Sequence, residues 1–248
     1  MPKPPHSPAS RPNAPFPTTK WTLVQKIQRG SADDARSALE EVCRTYWYPI
    51  YAYLRHHGQS PHDAEDLTQA FFQRLIEEHS IRDAQAERGR LRAFLLGVLK
   101  RLIADHFEKL RAVKRGGCAK IISFEDLDAE SLYVHEPADT KSPDAIFDRA
   151  WAGRVLQTAE EKLRGECERA DDLETFESLR EFLPLGENAT PYPKVAARLK
   201  IEEPSLRLQI HRMRKRYRKH IEEEIANTVS EPAQQKSELE YLMSLTGR

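Results

Sequence analysis

Apolar residues recur in this chain at three- and four-residue steps, and no run alternates apolar with polar in the way a half-buried strand must. The clearest stripe is Leu91, Phe94, Leu95, Val98, Leu99, Leu102, Ile103, Phe107 and Leu110. Side chains at that spacing fall on one face of a helix and on both faces of a strand, so only a helix can bury them together. Leu39, Val42, Cys43, Tyr46, Trp47, Ile50, Tyr53 and Leu54 make a second stripe, interrupted by Pro49, which predicts a kink or a split there. Similar stripes follow in Ala64–Leu75, Phe147–Leu163, Leu173–Leu183 and Leu206–Ile221. The fold class is all-α. With 248 residues of which only 39% are hydrophobic, two small helical domains are expected rather than one large core.

Local composition sets the expected boundaries. Residues 1–18 are rich in Pro, Ser and Asn and read as a disordered tail. A first helical domain is expected over 19–116, closed by Gly116-Gly117, with a polar loop over 79–90 inside it. Residues 117–144 read as an acidic linker, 145–226 as a second helical domain, and 227–248 as a tail. That tail is weakly amphipathic (Val229, Leu239, Leu242, Met243, Leu245). It could dock on the domain pair, bind a regulator or stay solvated.

No stretch approaches the roughly 18 unbroken apolar residues that span a bilayer, and the N-terminus lacks the apolar core of a secretion signal. Three widely spaced cysteines, Cys43, Cys118 and Cys167, fit a reducing compartment. A cytoplasmic protein without membrane insertion is expected.

The 39 basic and 39 acidic residues cancel, yet they are sorted into blocks. Arg88–Arg115 is mostly basic, and Arg207–Lys219 holds seven cations without one acid. Two separate basic stripes suggest an anionic polymer touched at two places. In the helix of Leu91–Leu110, Arg92, Lys100, Arg101, Lys109 and Arg111 are expected off the apolar stripe. In Leu206–Ile221, burial of Leu206, Ile210, Met213 and Tyr217 would turn Leu208, His211, Arg212, Lys215 and Lys219 outward. A short helix with Val195, Ala196 and Leu199 precedes it across a tight connection, Lys200–Pro204, which is the pattern of a helix-turn-helix.

Residues that could carry catalysis are weaker. Asp63, Glu65 and Asp66 follow Ser60-Pro61, a helix start with Ser60 as cap, so their carboxylates sit where a helix dipole favours them. His56, His57 and His62 lack a third ligand at metal-binding spacing. Asp171-Asp172-Leu173-Glu174 could hold magnesium for a prenyl diphosphate, but no second acidic set faces it and it reads more simply as an acidic helix start. No phosphate-binding loop, nucleophile elbow or zinc-protease motif occurs. Neither catalysis, a metal nor a cofactor is expected.

The run Asp63-Ala64-Glu65-Asp66-Leu67-Thr68-Gln69-Ala70-Phe71-Phe72 closely resembles the DAEDLxQExF signature of bacterial RNA polymerase sigma factors of the sigma-70 family. Arg92-Ala93-Phe94-Leu95, followed by Asp105, resembles the FRAWL…D helix of the same region two, and Tyr192–Arg218 resembles region four. Two regions in this order, without a region three between them, resemble the extracytoplasmic-function (ECF) class. The resemblance implies a region-two bundle whose acidic helix binds the β′ clamp of core polymerase through Asp63, Glu65, Asp66, Leu67 and Gln69. It implies that the 79–90 loop with Arg92, Lys100, Arg101 and Lys109 binds and melts the −10 promoter element. Flipped bases cost a few kcal/mol each, which specific contacts must offset. Region four would read the −35 element through Arg207, Leu208, His211, Arg212 and Lys215 and lean on the β flap. An anti-sigma regulator is a further partner that this class admits. Lys200 stands where the family's turn has Gly, a cost of about 1 kcal/mol if the site is left-handed. The rival reading is a stand-alone helix-turn-helix regulator, which would leave Asp63–Phe72 unexplained.

Overall fold

A computed structural model describes residues 22–77, 90–113, 142–184, 190–229 and 232–246. Several expectations fall outside those residues: the 1–18 tail, most of the 79–90 loop, Gly116-Gly117, Cys118 and the linker up to 141. The side chains of Phe107, Lys109, Leu110 and Arg111 do so as well.

Among the described residues every regular element is helical, as the apolar spacing requires. Helix α1 (Thr22–Arg29) ends at Gly30, where a Cβ would lie 2.4 Å from the Lys26 carbonyl oxygen, so only glycine fits the turn. Ser31 then caps α2 (Ala32–His56) in a full capping box with Asp34. From Tyr46 to Leu54 every residue of α2 is buried, which makes this the central helix of the N-terminal half. Pro49 does not split it. A proline removes one helical hydrogen bond, and burial of the whole surrounding turn keeps the helix continuous.

Helix α3 (Pro61–Glu77) and helix α4 (Leu91–Val113) follow. The Arg74 guanidinium pairs with Asp105 at 2.6 Å and ties α3 to α4. Ser142 caps α5 (Pro143–Arg169), with Pro143 in its first turn. Helix α6 (Leu173–Leu179) runs into a 3₁₀ turn, Arg180–Phe182. Helix α7 (Tyr192–Leu199), helix α8 (Glu203–Ala226) and helix α9 (Pro232–Leu245) complete the chain.

Helix α5 joins the two halves. One part of its surface packs on α2 and another on α8, so a single apolar core runs from Leu23 to Leu242 through both halves. Tyr217 of α8 donates its hydroxyl to the Leu156 carbonyl at 3.0 Å, and Lys162 pairs with Glu224. The 227–248 segment is not simply a solvated tail: it contains α9, which packs on α8 and α5 with Leu242 fully buried.

Candidate nucleic-acid interface

Three helices present the residues singled out by sequence. In α3 the start is local chemistry: the Ser60 hydroxyl accepts from the Asp63 amide at 3.1 Å and donates to the Asp63 carboxylate at 2.6 Å. The reciprocal bond of the capping box is thus hydroxyl to carboxylate. Asp63 and Glu65 are exposed, while Asp66 and Gln69 are half-buried. Leu67 and Phe71 are buried beneath them and fix the face that the carboxylates present. His62 lies 3.4 Å from Asp66.

In the second half, α7 and α8 are joined by a tight turn. The turn is made at Lys200, whose backbone is left-handed (φ 54°, ψ 40°). Glu202 precedes α8 without a side-chain capping bond, and Pro204 sits in the first turn, where it costs no hydrogen bond. Leu206, Ile210, Met213, Tyr217 and Ile221 are buried, and Arg207, Leu208, His211, Arg212, Lys215 and Lys219 are all exposed. The expected outward face is therefore the real one. Leu208 stands out as a large apolar side chain 49% exposed among cations. Arg207 is held in place by Glu203 at 2.5 Å and lies over the Tyr192 ring at 4.7 Å.

Helix α4 departs from expectation at one position. Lys100 and Arg101 are exposed, but Arg92 is buried. It lies on the apolar stripe, three residues before Leu95 and seven before Leu99, and not off it. Its Nε reaches Glu238 of α9 at 2.7 Å and its Nη1 reaches Asp148 of α5 at 2.5 Å. The guanidinium lies between the Trp151 ring, 5.2 Å away, and the Tyr241 ring, 4.6 Å away. Burial works against the charge, but the hydrogen bonds to Glu238 and the nearby carboxylates outweigh it and hold the Arg92 pKa above the ordinary value. Glu238, Asp148, Trp151 and Tyr241 were not legible as partners of Arg92. The available signal was Arg92 itself, a cation in register with an apolar stripe.

Among the described residues no group of three or more His, Cys, Asp or Glu side chains is placed to hold a metal ion. Asp171 and Asp172 lie in the exposed α5–α6 turn, Asp171 with a left-handed backbone. Burial pushes the Cys43 thiol up to about 11, away from nucleophilic use. No described helix is long and apolar enough to cross a membrane.

An exposed acidic face on α3, the continuous α2 against which α3 packs and exposed cations on α4 lie within one stretch of chain. Residues 44–113 match the family model of sigma-70 region 2. The match covers less than a third of the chain and supports a sigma-70 family sigma factor, a non-enzymatic transcription initiation factor. Region 2 of that family implies binding of core RNA polymerase and promoter DNA. Neither a curated protein nor a solved structure matches the chain.

Proposed function

We propose that the chain is an ECF-type sigma factor of a bacterial cytoplasm, a dissociable polymerase subunit that selects promoters and helps open them. The observation that carries this reading is the pairing of a region 2 match over 44–113 with a separate helix-turn-helix whose second helix presents an exposed cationic face. Region 2 alone would bind polymerase and the −10 element. The helix-turn-helix adds a second contact of suitable chemistry for a −35 element.

In this reading 19–116 acts as the region-two unit and 145–226 as the region-four unit. Asp63, Glu65, Asp66 and Gln69 meet the β′ clamp, with Leu67 holding their helix in place. Arg212 and Lys215 reach base edges in a major groove, where cationic side chains pair with guanine, and the exposed Leu208 suits a thymine methyl. Arg207, fixed by Glu203 and Tyr192, reaches a phosphate or the adjoining base. Lys100 and Arg101 face the −10 strand. Region four leans on the β flap, and an anti-sigma protein is the regulator that such a subunit would answer to.

The test is co-purification with core RNA polymerase. The wild-type chain is expected to form a stoichiometric complex and the Asp63→Lys/Glu65→Lys/Asp66→Lys variant to lose it with its helicity intact. A triple variant that binds polymerase as wild type does would overturn the clamp assignment. Tight sequence-specific DNA binding by the free chain as a dimer would favour a stand-alone regulator.

A further inference from the structure

Helix α9 has an unusual centre. Only two of its described side chains are fully buried, Leu242 and Glu238, and the second is a carboxylate. A helix serving only to complete a core would bury apolar groups at both places. Glu238, 0% exposed, faces two cations at the start of α4: Arg92 at 2.7 Å and Arg90 at 2.8 Å. Ser237 accepts from Arg90 at 3.3 Å, and the Tyr241 hydroxyl donates to Asp148, the second carboxylate on Arg92, at 2.6 Å. Just before α9, the Thr228 carbonyl accepts from the Leu91 amide, one of the N-terminal amides that a helix leaves unpaired. Farther along α4, Lys100 pairs with Asp144 at the start of α5.

The segment after α8 and the first turns of α5 thus supply what a phosphate backbone would supply to α4: carboxylate oxygens on guanidinium groups and an acceptor for a helix-start amide. We propose that α9 is an intramolecular latch that occupies the start of the DNA-binding face of α4, and that its release uncovers Arg90 and Arg92 for nucleic acid. This rests on the reading of α4 as a DNA contact. Phosphate and Glu238 compete for the same guanidinium, so release and DNA binding are coupled in both directions. Lys100 needs no such release, because its pair with Asp144 is exposed and yields readily.

The experiment uses the full chain and a fluorescent DNA duplex with a short unpaired bubble of randomised sequence, read by anisotropy, with hydrogen exchange of the α9 amides alongside. Glu238→Gln removes the carboxylate charge from the latch. Glu240→Gln makes the same charge change at an exposed position of the same helix. Tyr241→Ala loosens the latch with no charge change. The expected result is that Glu238→Gln and Tyr241→Ala lose protection in α9, keep it in α2 and α5, and bind the bubble on the order of tenfold tighter. Glu240→Gln stays at the wild-type value, and adding Arg92→Ala to either opened variant removes the gain. Should Glu238→Gln fail to fold, Tyr241→Ala decides alone. Opened α9 with unchanged DNA affinity overturns the latch, as does an α9 in Tyr241→Ala that exchanges no faster than the core. Arg101→Ala separates the two readings. If it weakens DNA binding while opening does not strengthen it, the latch alone falls; if it has no effect in any background, α4 as a DNA contact falls too.

Discussion

Arg92 Nε and Glu238 Oε1 are 2.7 Å apart across 146 residues of sequence, and the Glu238 carboxylate is wholly removed from solvent. A buried pair of this kind contributes little net attraction over an apolar pair of similar size, because both ions lose hydration. Losing one partner is what costs, since the other charge is left in a dry site.

Arg92→Met is therefore expected to destabilise the chain by about 3 kcal/mol, and Glu238→Met by a similar amount. The double variant should cost less than the sum, because neither charge is then stranded by loss of the other. Chemical denaturation of the four proteins in a double-mutant cycle measures this. Strict additivity would mean that Arg90 and Asp148 hold the two residues separately.

Lys200 offers the opposite sign. It ends α7 in the left-handed region with an exposed side chain, so its strain is offset by no packing. Lys200→Gly is expected to stabilise the chain by about 1 kcal/mol, less the larger entropy that glycine gives the unfolded chain. The denaturant midpoint should rise without a change in slope. DNA binding through Arg212 and Lys215 should persist, because the turn keeps its shape.

What could be read from sequence follows the range of the interactions. The α3 start was legible because Ser60, Pro61 and Asp63 act on one another within a turn. The outward face of α8 was legible because 100° per residue fixes it once the apolar stripe is known. The break at Gly30-Ser31 is equally local, a capping box of Ser31 with Asp34. Pro49 does not split α2, because burial from Tyr46 to Leu54 outweighs one missing hydrogen bond. Arg92 could not be placed without α9, whose partner carboxylate is distant in sequence and sits in a helix of weak amphipathic pattern. The shared core had the same cause: α5 reads as one apolar stripe, and only packing shows that it serves α2 and α8 together.

Within the acidic face of α3 the residues should separate by role. Asp63 takes the Ser60 hydroxyl hydrogen, so Asp63→Lys should cost about 1 kcal/mol through the helix start. Glu65 is exposed, and Glu65→Lys should change stability by no more than about 0.5 kcal/mol. Both should weaken association with core polymerase. Thermal unfolding beside a polymerase pull-down distinguishes them, and a Glu65→Lys variant that binds polymerase normally would move the contact off this face.

On α8, Arg212→Ala should lower the slope of log affinity against log salt by about 1 if it neutralises a phosphate, and should instead relax base preference at one position if it reads a base edge. The side chain is exposed with no ion pair among the described residues, so the fold should be unaffected. Arg207→Ala would lose the Glu203 pair and the Tyr192 contact as well, and should show a small stability loss beside its effect on DNA. Affinity of the polymerase-bound chain for duplex at two salt concentrations separates these outcomes.

Tyr241 gives the docking of α9 an alkaline limit. Burial, and then the hydrogen bond that its hydroxyl donates to Asp148, push its pKa up to about 12, against about 10 in an unfolded chain. Because the folded value is the higher one, the contribution is complete below pH about 10 and is lost as pH rises through the folded value. Ionisation removes the donor and sets a phenolate beside the Asp148 carboxylate. The α9 amides are therefore expected to lose hydrogen-exchange protection between about pH 10 and 12, ahead of α5. In Tyr241→Phe that alkaline step should vanish, leaving α9 somewhat weaker but level across the same range. Arg92 does not titrate there, its charge being held by the two carboxylates, so the step reports the tyrosine alone among the groups around that guanidinium. A step that survives in Tyr241→Phe would overturn its assignment to this tyrosine, because burial holds Tyr46, the other tyrosine near Arg92, neutral to still higher pH.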